Sequence, residues 1–275
     1  MLAPPRMLHG LPHPALRGVI DRYWSWAGAP APLLPLVPGP GGLELFFHHR
    51  QPFAARWASH EAAQPLPQAH ALCIRSRPMP LQATGEIGFI AARIRAGCAG
   101  ALAEMLPLQE LADRPVPLEA VWGAPVQALL DALAACGSFT EQAAQLDSFF
   151  LARLREARPR DAPIRAAIAR LEREPLRIAE LARECGLSVR QFEARFSAAT
   201  GSSPVRFRRL ARLRRSIKQL LLAAEGASLV STMDEAYFDQ AQQIREFREF
   251  TGRTPGQFRR EAAAARHFYL PSLHR

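Results

Sequence analysis

Arg190, Gln191 and Glu193 follow Ser188 closely in the chain, and each type can read a base edge. Arginine donates two hydrogen bonds to guanine, an amide pairs with adenine, and a carboxylate accepts from cytosine N4. Arg190 is the strongest reader of the three, since the Gln191 amide also has the spacing to close a cap and Glu193 could be a solvated charge. Val189, Ala194 and Ser197 share the face. Downstream, Arg206, Arg208, Arg209, Arg212, Arg214, Arg215 and Lys218 form a cationic run with no intervening acid. Such a run repels itself in isolation, so phosphate contact is the expected use.

Base readers need an element that carries them into a groove. From Ile178, apolar residues recur at i, i+3, i+4 and i+7 through Leu181, Ala182 and Cys185, the period of a one-faced helix. Gly186 supplies a residue able to take positive φ after it. Ser188 then serves as N-cap, with Gln191 three residues on completing a capping box. Phe192 and Phe196 at i and i+4 turn inward. Helix, short glycine turn and second capped helix make a helix-turn-helix, whose second helix presents its N-terminal residues to the major groove.

The unit occurs twice. F-x4-G-x-S/T-P-x-x-F-R runs from Phe196 through Gly201, Ser203, Pro204 and Phe207 to Arg208. It recurs 51 residues later as Phe247, Gly252, Thr254, Pro255, Phe258 and Arg259. Repetition at a fixed offset marks a duplicated supersecondary unit. In the second copy, beginning near Ser228, Asp239 caps the reading helix, Ile244 and Phe247 face inward, and Gln240, Ala241, Gln242, Arg245 and Arg248 are placed to reach DNA. Thr254 and Pro255 open a last short helix, reaching Arg259 or Arg260.

Charge is distributed accordingly. Residues 1–162 hold 14 arginines against 13 acidic residues, whereas residues 163–275 hold 21 basic residues against 12. A strongly basic half is the footprint of a polyanion binder. The 48% hydrophobic content with 22% charged residues is that of a globular chain. Cys73, Cys98, Cys136 and Cys185 are scattered without ligand spacing, which argues against a disulfide framework or zinc site; no metal and no cofactor are expected. No apolar run approaches a membrane span and the N-terminus lacks a signal-peptide pattern, so a cytoplasmic location with no membrane partner is expected. No nucleophile elbow, phosphate loop or zinc-protease pattern is present; no enzyme is expected.

Before residue 100, the runs Val19–Trp26, Leu43–His49, Leu72–Ser76 and Ile87–Arg95 are bounded by Pro/Gly clusters and read as strands of a small barrel or sandwich. Trp24, Trp26, His48 and Arg93 are candidate lining for a ligand pocket there. From Ala101 the pattern becomes helical, and an apolar stripe at Val126, Leu129, Leu130, Leu133 and Ala134 could pack on the strands or pair two subunits, with dimerisation favoured.

The tandem arrangement resembles the AraC/XylS transcription regulators over residues 164–260. The residues that carry it are Gly186 to Ser188, the YFDQ of Tyr237 to Gln240, and the stretch from Arg245 to Pro255. Arg22 to Trp24, the GLELFF run from Gly42 and Val116 to Gly123 are similar to sensor-like N-terminal domains of one subgroup. The resemblance implies that two reading helices enter successive major grooves, and that the N-terminal domain senses a small molecule or dimerises. The chain departs from the pattern at Thr232, Ala236 and Gln243, and Ala194 stands where many relatives carry Arg. Gln243 aligns with Phe192 of the first copy, and an amide in a core position costs about 1–3 kcal/mol unless partnered. Asp234 and Glu235 bring negative charge near the phosphate path, so a weaker second reader is expected.

The expectation is an α+β chain with two domains. A cupin-like β-barrel or sandwich with following helices spans 1–157, a linker 158–163, an all-α tandem helix-turn-helix domain 164–262 and a tail 263–275. Its function is sequence-specific DNA binding in transcription regulation, with double-stranded DNA as partner. A small-molecule effector, a homodimer and, for an activator, RNA polymerase are further candidate partners. The alternatives are a methyl-accepting DNA-alkylation-repair protein and a regulator whose second unit serves protein interaction.

Overall fold

Strand β2 (Ile20–Gly28) is buried along almost its whole length, because the sheet it belongs to is covered on both faces. The computed structural model describes residues 6–40, 43–56, 62–73, 76–102, 108, 111–155, 162–222 and 240–264. Besides β2, the large sheet holds β1 (Arg6–Gly10), β3 (Leu43–His48), β6 (Ala69–Cys73), β8 (Ile87–Ile94) and β9 (Val116–Pro117), in the order β1-β2-β8-β3-β6-β9. All of its pairings are antiparallel. A smaller sheet joins β4 (Ala54–Ala55), β5 (Gln64–Pro65) and β7 (Leu81–Gln82). Two sheets rather than one closed ring make this a sandwich, the second of the two architectures expected.

Alternation sorts the side chains. Trp24, Trp26, Phe46, Leu72, Phe89 and Ala91 face the small sheet and pack with Phe53, Leu66 and Met79. Tyr23, Leu45, Phe47, Ala71, Ile90 and Ala92 face the other way. A register shift between Ile20 and Arg22 returns Ile20 to that second face. Helices α1 (Glu119–Trp122), α2 (Pro125–Ala135) and α3 (Phe139–Leu151) cover it. Val126, Leu129, Leu130 and Leu133 of α2, with Leu146, Phe149 and Phe150 of α3, belong to the same core as Tyr23 and Phe47. The stripe read as a dimer surface is therefore covered by the sheet of its own chain, which corrects that reading. Burial of such a stripe stabilises either arrangement equally, and periodicity alone cannot name the partner.

The helical domain contains α4 (Ala162–Arg173), α5 (Ile178–Glu184), α6 (Val189–Thr200), α7 (Pro204–Leu222), α8 (Gln240–Thr251) and α9 (Pro255–Ala264). It has two cores. Ile164, Ile168, Leu171, Leu181, Phe192, Phe196 and Phe207 form the first; Leu210, Leu213, Ile217, Leu220, Phe247, Phe250 and Phe258 form the second. Helix α7 contributes to both and so spaces the two units.

One residue of the second core comes from the sheet domain. Leu34, 2% exposed, packs there with Val37 beside it. Leu33 and Leu36 of the same proline-rich segment pack instead against the core between the sheets. Leu36 is fastened to Met79 by N–H···O bonds of 2.9 and 2.7 Å. The segment is thus a strap with one side in each domain, and proline at 30, 32, 35, 38 and 40 limits its freedom.

Candidate nucleic-acid interface

Gly186 follows α5 with φ +67°, and the Leu187 N–H reaches back to the Ala182 carbonyl at 2.9 Å, closing the helix end. Ser188 Oγ accepts from the Gln191 N–H at 3.3 Å, while Gln191 Oε1 accepts from the Ser188 N–H at 3.1 Å. The capping box holds the Gln191 amide on the backbone, which favours capping over adenine reading for this residue. Phe192 and Phe196 are buried with ring centroids 5.6 Å apart. Ser188, Val189, Arg190, Gln191, Glu193 and Ala194 are all exposed. Arg195 is exposed as well and had not been singled out; its place beside Ala194 on a helix with Phe192 and Phe196 inward was the available signal.

The repeat survives at atomic detail. Thr200 Oγ1 donates to the Phe196 carbonyl at 2.8 Å and accepts from the Ser202 N–H at 3.3 Å. Thr251 Oγ1 does the same with the Phe247 carbonyl at 2.7 Å and the Arg253 N–H at 3.2 Å. Gly201 and Gly252 take φ of +69° and +70°. Phe196 meets Phe207 edge to face at 5.1 Å, and Phe247 meets Phe258 at 5.6 Å. In each unit the second helix of the motif is locked to the helix after it by the same threonine, glycine and aromatic pair.

On α8, Ala241, Gln242 and Arg245 are exposed, with Gln243, Glu246, Phe247 and Phe250 buried on the other side. Gln240 opens the helix; its side chain lies outside the described residues, as do Ser228, Thr232, Asp234, Glu235, Ala236 and Asp239. The last helix runs to Ala264, past the expected end. Gln243 is 3% exposed and donates through Nε2 to Ser216 Oγ at 3.2 Å. The core amide has found its partner, so the desolvation penalty that made the second unit look weakened is offset.

The cationic run on α7 is largely engaged inside the protein. Arg208 donates to the Leu176 carbonyl at 3.3 Å. Arg209 pairs with Glu246 and Glu249 at 3.3 and 2.7 Å, and Arg212 pairs with Glu246 at 2.6 Å. Arg214 pairs with Glu172 at 2.8 Å and Arg215 donates to its carbonyl at 3.1 Å. Arg206 is half-buried near the start of the helix. The acids come from α4 and α8, more than 30 residues away, where local charge counting does not look. Burial, with the Arg93 guanidinium next, pushes Arg214 down to about 10 against the pull of Glu172.

In the sheet domain the structure brings together Trp24, Trp26 and His48, whose cross-strand register runs through Ala91, Phe89 and Phe46. Arg93 lies on the same face at the sheet's end, opposite Arg22 and Glu44. It pairs with Glu44 at 2.9 Å, and its charge acts on Arg214. His70, not anticipated, is aligned with Phe46 and stacks on His48 at 5.5 Å. Its Nδ1–H donates to the Pro67 carbonyl at 2.8 Å. His70 Nε2 and both ring nitrogens of His48 are buried without a hydrogen-bond partner. Burial holds His48 well below the usual imidazole range, with His70 adding to the effect, and drives His70 down to about 4. Among the described residues no three His, Cys, Asp or Glu side chains converge on a metal position, and no helix is long and apolar enough to cross a membrane.

Residues 181–261 match the family described as a helix-turn-helix domain. No curated protein matches the chain. Among solved structures, ligand-free ToxT from Vibrio cholerae is similar with 8% identity and a TM-score of 0.47, over 86% of this chain and 96% of that one. Wild-type ToxT with unsaturated fatty acid bound is similar with 9% identity and a TM-score of 0.44, over 94% of each chain. The two matched units and the family match together establish that residues 181–261 are an AraC-type helix-turn-helix domain, and they support DNA binding in transcription regulation as the role of the chain that carries it.

Proposed function

We propose that the chain reads a two-groove DNA site with α6 and α8, and that its sheet domain adjusts this reading through a small molecule. The observation that carries the first part is the segregation of α6. Phe192 and Phe196 fix it from inside, while Ser188 to Gln191, Glu193 and Ala194 stand outward. Arg190 reads guanine and Glu193 accepts from cytosine. Ala241, Gln242 and Arg245 form the corresponding face of α8. Arg206 and Arg208, at the N-terminal end of α7, contact phosphate. DNA as the ligand puts the protein in the cytoplasm.

The effector reading rests on His48 and His70. Three buried ring nitrogens without partners in an aromatic compartment leave hydrogen-bonding capacity that a polar group on an apolar molecule would satisfy. The methyl-acceptor alternative loses ground: Cys73 is 0% exposed, and burial pushes the Cys98 thiol up, away from the reactive thiolate.

Selection of duplexes from a random pool with the full chain, followed by gel shifts across salt, tests the DNA reading. A convergent sequence with steep salt dependence supports it; no convergence with a flat salt response refutes it. Native mass spectrometry of the purified protein tests the effector, and a bare protein mass that no extract alters would remove that part.

A further inference from the structure

The two reading helices are held on α7 by different chemistry. In the first unit Phe192 and Phe196 supply an aromatic wedge, and Arg195 is exposed. Adding the repeat offset to Phe192 and Arg195 gives Gln243 and Glu246, and both of these are buried. Gln243 bonds Ser216 of α7 at 3.2 Å. Glu246, 6% exposed at its side chain, takes the Arg212 guanidinium on both carboxylate oxygens at 2.8 and 2.6 Å. Arg209 reaches the same carboxylate at 3.3 Å and bridges to Glu249 at 2.7 Å, with its guanidinium 4.8 Å from the Phe250 ring centroid. Gln243, Glu246, Phe247 and Phe250 lie at i, i+3, i+4 and i+7, so this one face determines the rotation of α8 about its own axis. The opposite face carries Ala241, Gln242 and Arg245.

We propose that Glu246, with Gln243, is a positioning residue for the second reading helix, and that Arg209 and Arg212 serve this clamp instead of contacting DNA phosphate. The inference rests on the two-groove reading above. Arg209, Arg212, Glu246 and Glu249 carry two positive and two negative charges, so the patch has no net cation with which to displace counterions from a duplex. The carboxylate accepts hydrogen bonds along set directions, and paired Arg–carboxylate geometry is more angle-specific than apolar contact. Rotation of α8 therefore follows Glu246, and with it the direction in which Arg245 and Gln242 point.

The experiment is hydroxyl-radical footprinting and salt titration on a duplex selected with the wild-type chain. It compares wild type with Glu246→Gln, Glu246→Asp and Arg212→Gln, each checked for helix content by circular dichroism. The proposal expects wild type to protect two grooves and Glu246→Gln to keep the first while losing protection of the second at least tenfold. Glu246→Asp recovers part of that loss. Arg212→Gln reproduces the selective loss of the second groove with the salt slope of Glu246→Gln, whereas a lost phosphate contact lowers the slope by about 1 beyond that variant. Retention of both grooves by Glu246→Gln, equal weakening of both, or a slope in Arg212→Gln about 1 below that of Glu246→Gln overturns the proposal. Wild type protecting a single groove overturns it too, for want of a second reader to position. A wild-type chain protecting neither groove removes the DNA reading itself and the proposal with it.

Discussion

Substituting Leu34 by Ala separates the two helix-turn-helix units, because the side chain belongs to the core of only one of them. Leu34 is 2% exposed among Leu210, Leu213, Ile217, Phe247, Phe250 and Phe258, and contributes nothing to the core around Phe192 and Phe207. Removing three carbons at about 0.8 kcal/mol each costs about 2.4 kcal/mol in lost burial. A rigid site adds a cavity term that carries Leu→Ala changes to as much as about 5 kcal/mol. Here that addition is small. Leu34 borders an open groove of about 540 Å³ with Pro32, Leu33, Pro35, Pro78, Pro80, Arg253 and Glu261, so the space left is continuous with that groove and is not a sealed void.

A loss of about 2.4 kcal/mol is about a 60-fold change in an opening equilibrium. Native-state hydrogen exchange resolves it by element. Amides of α8 and α9 exchange about 60-fold faster in Leu34→Ala, and those of α5 and α6 are unchanged. Equal acceleration in α6 and α8, or none in α8, refutes the idea that the strap completes the second unit alone.

Three further outcomes follow from the geometry. Arg190→Ala relaxes base preference at one position of the selected duplex and weakens binding by about 1–3 kcal/mol; a uniform loss across all sequences identifies a phosphate contact instead. Ser216→Ala strands the buried Gln243 amide and costs about 1–3 kcal/mol in urea unfolding, and adding Gln243→Leu recovers most of it, since both partners are then apolar. Acid weakens the fold through His70. Its folded-state value of about 4 lies below the unfolded value of about 6.5, so the unfolded chain takes the proton first. The stabilisation is complete above pH 6.5 and is lost as pH falls through 4, with on the order of 2 kcal/mol gone by pH 5. Burial of His48 acts in the same direction. Equal urea stability at pH 7 and pH 5 contradicts this, and His70→Phe flattens the profile.

What could be read from the chain beforehand divides by range. The capping box at Ser188, the glycines after α5, α6 and α8, and the inward pair Phe192 and Phe196 are all set within four residues of backbone, where helix geometry alone decides which groups meet. The exposed face of α6 was legible for that reason. The strand face of Trp24 and Trp26 was legible too, because alternation needs no knowledge of the partner strand. The partners of α7 were not. Glu172 and Glu246 lie 42 and 34 residues from the arginines they hold, and Leu34 lies far from every residue of the core it joins. A sequence shows that seven cations adjoin one another; only topology shows which carboxylates are folded onto them.

Gln243 marks the limit of pattern matching most clearly. Against Phe192 it counts as a lost aromatic, and a core amide alone is a defect. The defect disappears only when Ser216 and the neighbouring Glu246 are counted with it, because a buried polar group stabilises once its own hydrogen bonds are made and destabilises otherwise. Aromatic packing in the first unit also has preferred angles, Phe196 meeting Phe207 edge to face, but the well is shallow beside a charge-assisted hydrogen bond. The Gln243 and Glu246 contacts tolerate less, since a hydrogen bond weakens steeply as it bends. The second unit is therefore the more strictly oriented of the two. The sheet domain touches both units, the second through Leu34 and Val37 and the first through Ala96.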